Sequence, residues 1–279
     1  MAKHLIASTL WSLAIPDTVR ALEAVGQLGF EAVQLTFLQE SDCQAENINR
    51  IRDVLKAAGL KLAGGMVSFA GEDYSSIAAI RRTGGFVDAA VFPERLERCR
   101  RWGAAMAELG IKYVTTHAGF LPEPGEPHYA AVCERVAAAA DALHAAGLSV
   151  GLETGQESAR VLLGILDDLK RKWLGANFDT ANFILYGSDD PVQAARTLAG
   201  RVLGVHVKDG TPSDRPREIW GEDVPLGQGK ADFAALIKTL EAGGFKGPLV
   251  IEREAGNNRL GDLAAGRRFL ADLLARTAG

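Results

Sequence analysis

Short apolar segments alternate with longer amphipathic segments along the chain. The apolar segments have the length of buried strands and lie at residues 4–9, 32–37, 61–67, 111–117, 148–154, 174–180, 202–208 and 248–254. The segments between them have the hydrophobic period of a helix and lie at residues 16–28, 44–58, 93–109, 127–146, 157–170, 190–199, 232–243 and 259–277. This alternation predicts an α/β fold, a single (β/α)8 TIM barrel over residues 1–279. The alternative is an open doubly wound sheet, which is disfavoured because no GxGxxG or Walker loop follows the first strand.

Glycines mark the ends of several predicted helices. Gly59, Gly110 and Gly147 each follow the last helical turn and precede the next strand, as a left-handed C-cap requires. Two longer segments, 68–92 and 209–231, follow the third and seventh strands. Loops of this length are uncommon in a compact domain unless they are functional or disordered. We expect both segments to form lids on the same face of the barrel.

Composition and charge exclude several classes of function. The chain has 279 residues, 47% of them hydrophobic and 24% charged, which is typical of a soluble globular protein. Its formal net charge is −4 and its basic residues do not cluster, so we expect neither nucleic acid nor a membrane surface as a partner. An uninterrupted apolar run of about 18 residues, the length of a membrane span, does not occur in the sequence.

The cysteines and the N-terminal segment favour a cytoplasmic location. Cys43, Cys99 and Cys133 are widely spaced and lie outside any CxxC motif, which is typical of reduced thiols. The mildly apolar segment 1–17 has the basic start of a signal peptide, but hydroxyl residues such as Ser8 interrupt it and no small-residue cleavage motif follows. We interpret this segment as the first strand.

Four consecutive predicted strands end in residues that can bind a metal. These residues are Glu153, Asp179, His206 and Glu252. In a (β/α)8 barrel the carboxyl ends of all strands meet at one mouth, so the four side chains are expected to be neighbours. Three carboxylates and an imidazole in an apolar cup repel one another and lose hydration unless a cation holds them. An oxygen-rich set with one nitrogen suits Mn²⁺ best, and also Co²⁺ or Mg²⁺.

Other polar residues are predicted near the same mouth. His117 ends the fourth strand, Lys208 lies two residues beyond His206, and Glu254 follows Glu252 with the same alternation. Each is a candidate for binding substrate, with a structural hydrogen bond or ion pair as the alternative. Two glycines in the segment PLGQGKADF resemble a phosphate-binding nest, but a tight entry into the next helix explains them equally well.

Five motifs together resemble those of a known family. They are GLETG at strand five, NFDTAN at strand six, VHVKD at strand seven, GQGKADF before the seventh helix and IERE at strand eight. The chain resembles the xylose isomerase-like TIM barrel superfamily, the sugar phosphate isomerase/epimerase group, over its whole length and most strongly from residue 110 onward. The resemblance implies a divalent ion bound by Glu153, Asp179, His206 and Glu252. It also implies that Glu153 and Glu252 are the catalytic acid/base pair, on opposite faces of the substrate.

The chemistry of that group starts with removal of a proton beside a sugar carbonyl, which develops an enediolate. Return of the proton to the same carbon gives an epimerase, and return to the neighbouring carbon gives an isomerase. Loss of a leaving group gives a lyase or dehydratase. The expected function is a divalent-metal-dependent sugar isomerase/epimerase of carbohydrate metabolism that acts on a small keto-sugar or related polyhydroxy carbonyl compound. The oligomeric state stays open, with a homo-oligomer among the alternatives.

Two positions depart from the pattern of the ketose 3-epimerases in this group. Those enzymes have a histidine where this chain has Asn182, and an arginine where it has Pro212. Arg215 or Arg217 is a candidate to supply the missing charge, with a solvated loop position as the alternative for both. The departures keep open a carbon–oxygen lyase or dehydratase acting on a keto-sugar, 3-keto-glycoside or keto-inositol. A sugar-binding protein without activity is a third alternative. The nuclease of the superfamily, endonuclease IV, needs more histidines than the five present here.

Overall fold

The computed structural model describes residues 4–277, and eight parallel strands of this range close into a barrel. The strands in chain order are β1 (Ile6–Thr9), β2 (Ala32–Leu35), β3 (Lys61–Val67), β4 (Tyr113–Thr116), β5 (Ser149–Glu153), β6 (Leu174–Asp179), β7 (Val202–Val207), β8 (Asp209–Thr211), β9 (Glu222–Val224) and β10 (Leu249–Ile251). Strands β1–β7 and β10 form the barrel, in the order β1-β10-β7-β6-β5-β4-β3-β2. All eight predicted strands are therefore confirmed, and the doubly wound alternative is wrong.

Helices connect the barrel strands and surround them. They are α1 (Thr18–Gln27), α2 (Ala45–Ala57), α3 (Ile77–Thr83), α4 (Phe92–Glu108), α5 (Tyr129–Ala145), α6 (Ala159–Leu169), α7 (Asn182–Tyr186), α8 (Pro191–Thr197), α9 (Phe233–Ala242) and α10 (Arg259–Thr277). Two short 3-10 helices, Trp11–Leu13 and Glu40–Cys43, lie in the loops after β1 and β2. The helical periodicity did not predict α3 and α7, because both are short and lie in loops at the mouth.

Polar caps determine where several helices begin, and glycines determine where they end. The side chains of Asp17, Ser158 and Asp232 each accept a hydrogen bond from a backbone N–H in the first turn of α1, α6 and α9. At the other end, Gly110 and Gly147 have φ of 93° and 85°, in the left-handed region that glycine adopts without strain. The predicted glycine caps are confirmed at these positions.

The main hydrophobic core lies between the barrel and the helices, with Trp102, Phe86 and Phe178 among its fully buried side chains. Inside the barrel, Tyr113 donates a hydrogen bond to Asn177 Oδ1 at 2.8 Å. A Cβ atom on Gly204 would lie 2.3 Å from the Tyr113 hydroxyl, so the absence of a side chain there makes room for the ring. Asn177 lies two residues before the end of β6, so this packing forms the floor beneath the mouth.

The two long segments contain structure of their own at the mouth. Segment 68–92 includes α3, and segment 209–231 includes an antiparallel hairpin of β8 and β9. Tyr74 of the first segment and Trp220 of the second line one cavity together with Glu153. Their expected position on the same face of the barrel is confirmed.

Within residues 4–277, the structure has no helix with the length and apolar character needed to cross a membrane.

Candidate functional site

Four buried side chains converge at the carboxyl ends of neighbouring barrel strands. Glu153 and Asp179 are the last residues of β5 and β6, His206 lies near the end of β7, and Glu252 directly follows β10. Asp179 pairs with His206 in the parallel register of β6 and β7, which places the two side chains at the same level. One ligand atom from each of the four residues lies within 4.8 Å of the others. The structure brings these four residues together, as predicted, and we call them the carboxylate ring.

Two carboxylate oxygens in this ring lack a hydrogen-bond donor among the described residues. Within residues 4–277, Glu153 Oε2 and Asp179 Oδ2 are buried and make no hydrogen bond, with only the longer contacts to His117 Nε2 at 3.4 Å and to His206 Nδ1 at 4.0 Å, whereas Asp179 Oδ1 accepts from the backbone N–H groups of Ala181 and Asn182, both at 2.8 Å. A buried carboxylate oxygen without a donor is costly unless a cation compensates its charge. The ring therefore fits a divalent metal site on the chemistry of its donors.

His206 is held in one orientation by Gln34, a residue of β2 that the sequence analysis missed. Gln34 Nε2 donates to the carbonyl of Gly65 at 3.0 Å, so its other side-chain atom, Oε1, is the acceptor that faces His206. His206 Nε2 donates to this oxygen at 2.7 Å. When the imidazole is neutral this leaves the lone pair on Nδ1; when it is protonated, as its raised pKa favours, Nδ1 also carries a proton and donates to Glu153 Oε1 at 2.9 Å. A hydrogen bond that fixes the ring nitrogen in this way is the usual support of a metal-binding histidine.

The charges of the ring shift the pKa values of its members in opposite directions. Burial raises the pKa of Asp179 well above its usual value, and the carboxylates of Glu252 and Glu153 add to this effect. Burial acts to lower the pKa of His206, but the charges of Glu252 and Glu153 outweigh it and raise that pKa. For Glu252 burial is outweighed by Lys208 and His206, which hold its pKa well below the usual range. The ring thus concentrates negative charge that positive groups must balance.

Lys208 and Trp11 hold Glu252 from two sides. Lys208 Nζ donates to Glu252 Oε2 at 3.2 Å and also to Glu254 Oε2, so the buried ammonium bridges two carboxylates. Trp11 Nε1 donates to the other oxygen, Glu252 Oε1, at 2.8 Å. The ion pair named as the alternative for Lys208 and Glu254 is therefore present, and their binding of substrate stays a prediction.

A cavity of about 470 Å³ opens above the ring. Its lining includes four of the predicted substrate-binding residues, His117, Lys208, Asn182 and Glu254, together with Glu153. Gln156 Nε2 donates to His117 Nδ1 at 3.2 Å, which leaves His117 Nε2 as the protonated nitrogen, 3.4 Å from Glu153 Oε2. Aromatic rings of Tyr74, Tyr186 and Trp220 complete the wall. An imidazole, an ammonium and an amide beside aromatic faces make a site suited to a small polar molecule.

Arg217, the fifth predicted substrate-binding residue, does not line the cavity above the carboxylate ring. Its guanidinium donates to the carbonyls of Gly187 and Ser188, both at 3.4 Å, at the end of α7. It lines a neighbouring cavity that shares Tyr186 with the one above the ring. The expected role of Arg217 in supplying charge to a substrate at the ring is not supported by this position, because its donors are used to hold the loop.

The glycine segment considered as a phosphate nest is filled by a carboxylate of the chain itself. Asp209 Oδ2 accepts from the N–H groups of Gly227 and Gly229 at 2.9 and 2.8 Å, and Oδ1 accepts from Gly210 and Ala231. The segment is a true anion nest, but the anion is Asp209, which is 1% exposed. Its function is to order the loop before α9, and the phosphate interpretation is wrong.

The sequence gives weak signals for the residues that were missed. Gln34 lies in the apolar segment of β2, where a polar side chain is unexpected and could have marked it. Tyr74 and Tyr186 carry no such signal, because their place at the mouth depends on the paths of two loops.

Comparisons with known proteins agree with this geometry. The model of the family described as xylose isomerase-like TIM barrel matches residues 22–273. The crystal structure of a xylose isomerase domain protein from Planctomyces limnophilus superposes with a TM-score of 0.88 at 32% identity, over 92% of this chain and 93% of that one. A xylose isomerase-like TIM barrel protein from Mycobacterium smegmatis in complex with magnesium has a TM-score of 0.76 at 17% identity, over 99% and 98% of the two chains.

The curated relatives match a smaller part of this chain than the family model and the solved structures do. L-ribulose-5-phosphate 3-epimerase UlaE of Salmonella paratyphi A is 28% identical over 116 residues, which is 41% of this chain and 38% of that enzyme. The chain thus matches well under half the length of this relative. The extent of the family match and the superposition settle the classification: this chain belongs to the xylose isomerase-like TIM barrel family.

Proposed function

We propose that this protein is a divalent-metal-dependent sugar isomerase/epimerase that acts on a small keto-sugar or a related polyhydroxy carbonyl compound. The observation that carries the proposal is the pair of buried oxygens without a hydrogen bond in the described part of the chain, Glu153 Oε2 and Asp179 Oδ2, beneath a cavity lined by both polar and aromatic side chains. A structural salt-bridge cluster would satisfy these oxygens with donors from the chain. A site that binds a cation and a substrate leaves them available.

Glu153, Asp179, His206 and Glu252 are the residues that would hold the ion. Three carboxylates and one imidazole match Mn²⁺, with Co²⁺ or Mg²⁺ as alternatives, better than the sulfur-rich sets of structural zinc. When bound, the ion would supply Lewis-acid stabilisation of the charge that develops on the substrate carbonyl. Gln34 keeps Nδ1 of His206 directed at this position.

The two glutamates are the proposed acid/base pair. Glu153 faces the cavity and its Oε2 makes no hydrogen bond among the described residues, so its carboxylate is placed to take a proton from the carbon beside the carbonyl. Glu252 is fixed by Trp11 and Lys208 on the other side of the ring, where it can deliver a proton to the opposite face. The low pKa of Glu252 keeps it charged in the free protein, so it must first receive a proton from solvent or from a substrate before it can deliver one.

The remaining residues of the cavity are proposed to bind the hydroxyl groups of the substrate. His117 offers a protonated Nε2, Lys208 offers an ammonium, and Glu254 offers an acceptor. Asn182 contributes a side-chain oxygen, since its Nδ2 donates to the carbonyl of Thr154 at 3.1 Å. These groups provide the donors and acceptors that a polyhydroxy compound needs.

The names of related proteins support this class. The UlaE relative is an L-ribulose-5-phosphate 3-epimerase, and a solved structure with a TM-score of 0.73 is an L-ribulose 3-epimerase. A lyase or dehydratase acting on a keto-sugar, 3-keto-glycoside or keto-inositol is the second candidate. It is favoured by Asn182, which stands where the ketose 3-epimerases have a histidine.

Hydrogen exchange tests the proposal. The protein is incubated in D₂O with Mn²⁺ or Mg²⁺ and with a panel of free and phosphorylated ketoses, keto-inositols and 3-keto-glycosides. After removal of the metal on a chelating resin, mass spectrometry and NMR locate deuterium in the recovered compounds. We expect deuterium at a carbon beside the carbonyl, only in the presence of the metal, and the product identity separates epimerase, isomerase and lyase.

Two results would contradict the proposal. Exchange that persists after exhaustive treatment with a chelator would remove the metal from the reaction. An absence of both exchange and product across the whole panel, in a protein that binds Mn²⁺, would reject the enolising activity.

A further inference from the structure

A second cavity of about 300 Å³ lies beside the one above the carboxylate ring. Its lining comes mainly from the loops after β1, β2 and β3, on the side of the barrel opposite the ring ligands. The lining residues are Trp11, Thr36, Phe37, Leu38, Met66, Ser68, Phe69, Glu72, Tyr74, His117 and Glu254. We call this space the apolar pocket, and it includes none of the four residues of the ring.

Most of its surface is hydrocarbon or aromatic. Phe37, Met66 and Phe69 are buried side chains that form its base. Trp11 presents its ring while its only donor, Nε1, is used by Glu252. A pocket with three aromatic or sulfur-bearing side chains at its base binds an apolar ring by burial of surface from water.

Apart from the hydroxyl of Ser68, the main polar groups of the apolar pocket have partners within the chain. Thr36 Oγ1 donates to the carbonyl of Met66 at 3.0 Å. Glu72 Oε1 accepts from the N–H of Gly85 at 2.7 Å, and Glu72 Oε2 faces the hydroxyl of Tyr74 at 3.4 Å. Lysine and arginine do not occur among the described residues that line it. A phosphate or another anion thus finds no cation there, and an uncharged group is favoured.

The apolar pocket is continuous with the cavity above the ring. Tyr74, His117 and Glu254 line both spaces. Tyr74 is 44% exposed, and its ring contacts the edge of His117 with centroids 5.9 Å apart. A molecule whose carbonyl part lies at the ring can therefore place a second part in the apolar pocket by passing these shared residues.

We infer that the substrate is a two-part molecule: a polyhydroxy carbonyl portion bound at the ring and an uncharged aromatic group, joined to it as in an aryl glycoside, bound in the apolar pocket. The inference rests on the proposed function for the placement of the carbonyl portion. It narrows the substrate class, because a free pentulose or hexulose leaves the apolar pocket without an occupant.

Binding of unreactive probes tests the inference without any turnover. Phenyl and methyl β-D-glucopyranosides, xylopyranosides and galactopyranosides, and phenol alone, are titrated into the Mg²⁺-supplemented full chain by isothermal calorimetry. We expect at least one phenyl glycoside to bind about 10- to 100-fold more tightly than its methyl partner, as burial of one phenyl ring predicts. It should also bind more tightly than phenol, because both parts are held at once.

Two variants with the same added bulk locate the effect. Ser68→Phe fills the apolar pocket, since Ser68 is in its lining and its hydroxyl makes no hydrogen bond within the part of the chain that the structure describes. Ala70→Phe, on the exposed surface of the same loop, is the matched control. We expect Ser68→Phe to abolish the preference for the phenyl member and to leave methyl glycoside binding unchanged, and Ala70→Phe to retain the preference.

Several outcomes would overturn the inference. These are equal affinity of phenyl and methyl members in every pair, a phenyl preference that survives Ser68→Phe, or phenol binding as tightly as the phenyl glycosides. These results are separable from failure of the proposed function, which is read from deuterium exchange rather than from binding.

Discussion

The two sides of the barrel mouth differ in chemistry although the same fold builds both. On the side of β5, β6, β7 and β10, the strand ends supply three buried carboxylates, an imidazole and the ammonium of Lys208. On the side of β1, β2 and β3, the loops supply Trp11 and the base of the apolar pocket. The difference shows that the barrel fixes where each strand end lies at the mouth, while the side chain at that strand end determines the local chemistry.

The largest effect should come from one carboxylate on the charged side. We expect Glu153→Gln to lower kcat/KM on a confirmed substrate by about 10²–10⁴-fold, since the amide cannot take a proton. The matched control is Glu46→Gln, an exposed glutamate of α2 on the side of β2, whose change should alter kcat/KM by about 3-fold or less. Both variants are assayed by steady-state kinetics, with circular dichroism and Tm to show that the fold is retained.

Equal losses in the two variants would break the comparison between the sides. Activity of Glu153→Gln close to that of the original protein would remove Glu153 from the proton transfer and leave it, at most, a ligand of the ion.

The second largest expected effect is on Mn²⁺ affinity, and it concerns a hydrogen bond that joins the two sides of the mouth. Gln34 belongs to β2 on the apolar side but accepts the hydrogen bond that orients His206. We expect Gln34→Leu to weaken Mn²⁺ binding by about 10- to 100-fold, the usual cost of losing the partner of a metal-binding histidine. Isothermal calorimetry with Mn²⁺ measures the affinity directly, without reliance on turnover.

Thr36→Val is the matched control for Gln34→Leu. Thr36 follows β2, and its hydroxyl donates to the carbonyl of Met66 without touching the ring. Unchanged Mn²⁺ affinity in Gln34→Leu, or equal weakening in both variants, would show that the hydrogen bond does not tune the site.

The sequence alone predicted the charged side better than the apolar side. Glu153, Asp179 and His206 could be placed because each lies at the end of a strand, and barrel topology converts that place in the chain into a place at the mouth. The floor formed by Tyr113 and the orientation given by Gln34 depend on side-chain contacts between strands far apart in sequence. Periodicity does not report such contacts.

The apolar pocket escaped prediction for a different reason. Phe37, Met66 and Phe69 have the appearance of ordinary core residues in the sequence, and only the paths of the loops after β2 and β3 leave a space above them. The segment of Gly227 and Gly229 was recognised as a possible anion site. The anion that occupies it, Asp209, is the first residue of β8, and the hairpin of β8 and β9 lies between it and the two glycines in the sequence. Loop paths were therefore the main source of error.

The smallest expected effect is on the free energy of unfolding, and it concerns a carboxylate that lies just outside the carboxylate ring. Glu157 follows Glu153 in the chain, but it lines the neighbouring cavity, and its Oε2 is buried without a hydrogen-bond partner among the described residues. Burial raises the pKa of Glu157 from 4.5 to about 8. Below pH 4.5 the group is protonated in both the folded and the unfolded chain, so it does not affect stability there. Between pH 4.5 and about 8 the unfolded chain releases this proton while the folded chain retains it, so the free energy of unfolding falls as the pH rises, and it levels off above pH 8 once both states have released the proton.

Glu157→Gln removes this pH-dependent loss. We expect the variant and the original protein to have the same Tm near pH 4.5, and the variant to be more stable by about 1–3 kcal/mol at pH 9. Exposed Glu134→Gln is the control and should follow the original protein at every pH. Thermal unfolding across this range measures the difference, and a Tm gap that does not widen with pH would mean that Glu157 is compensated in its cavity. That result would remove the contrast with Glu153, whose charge we assign to the metal site.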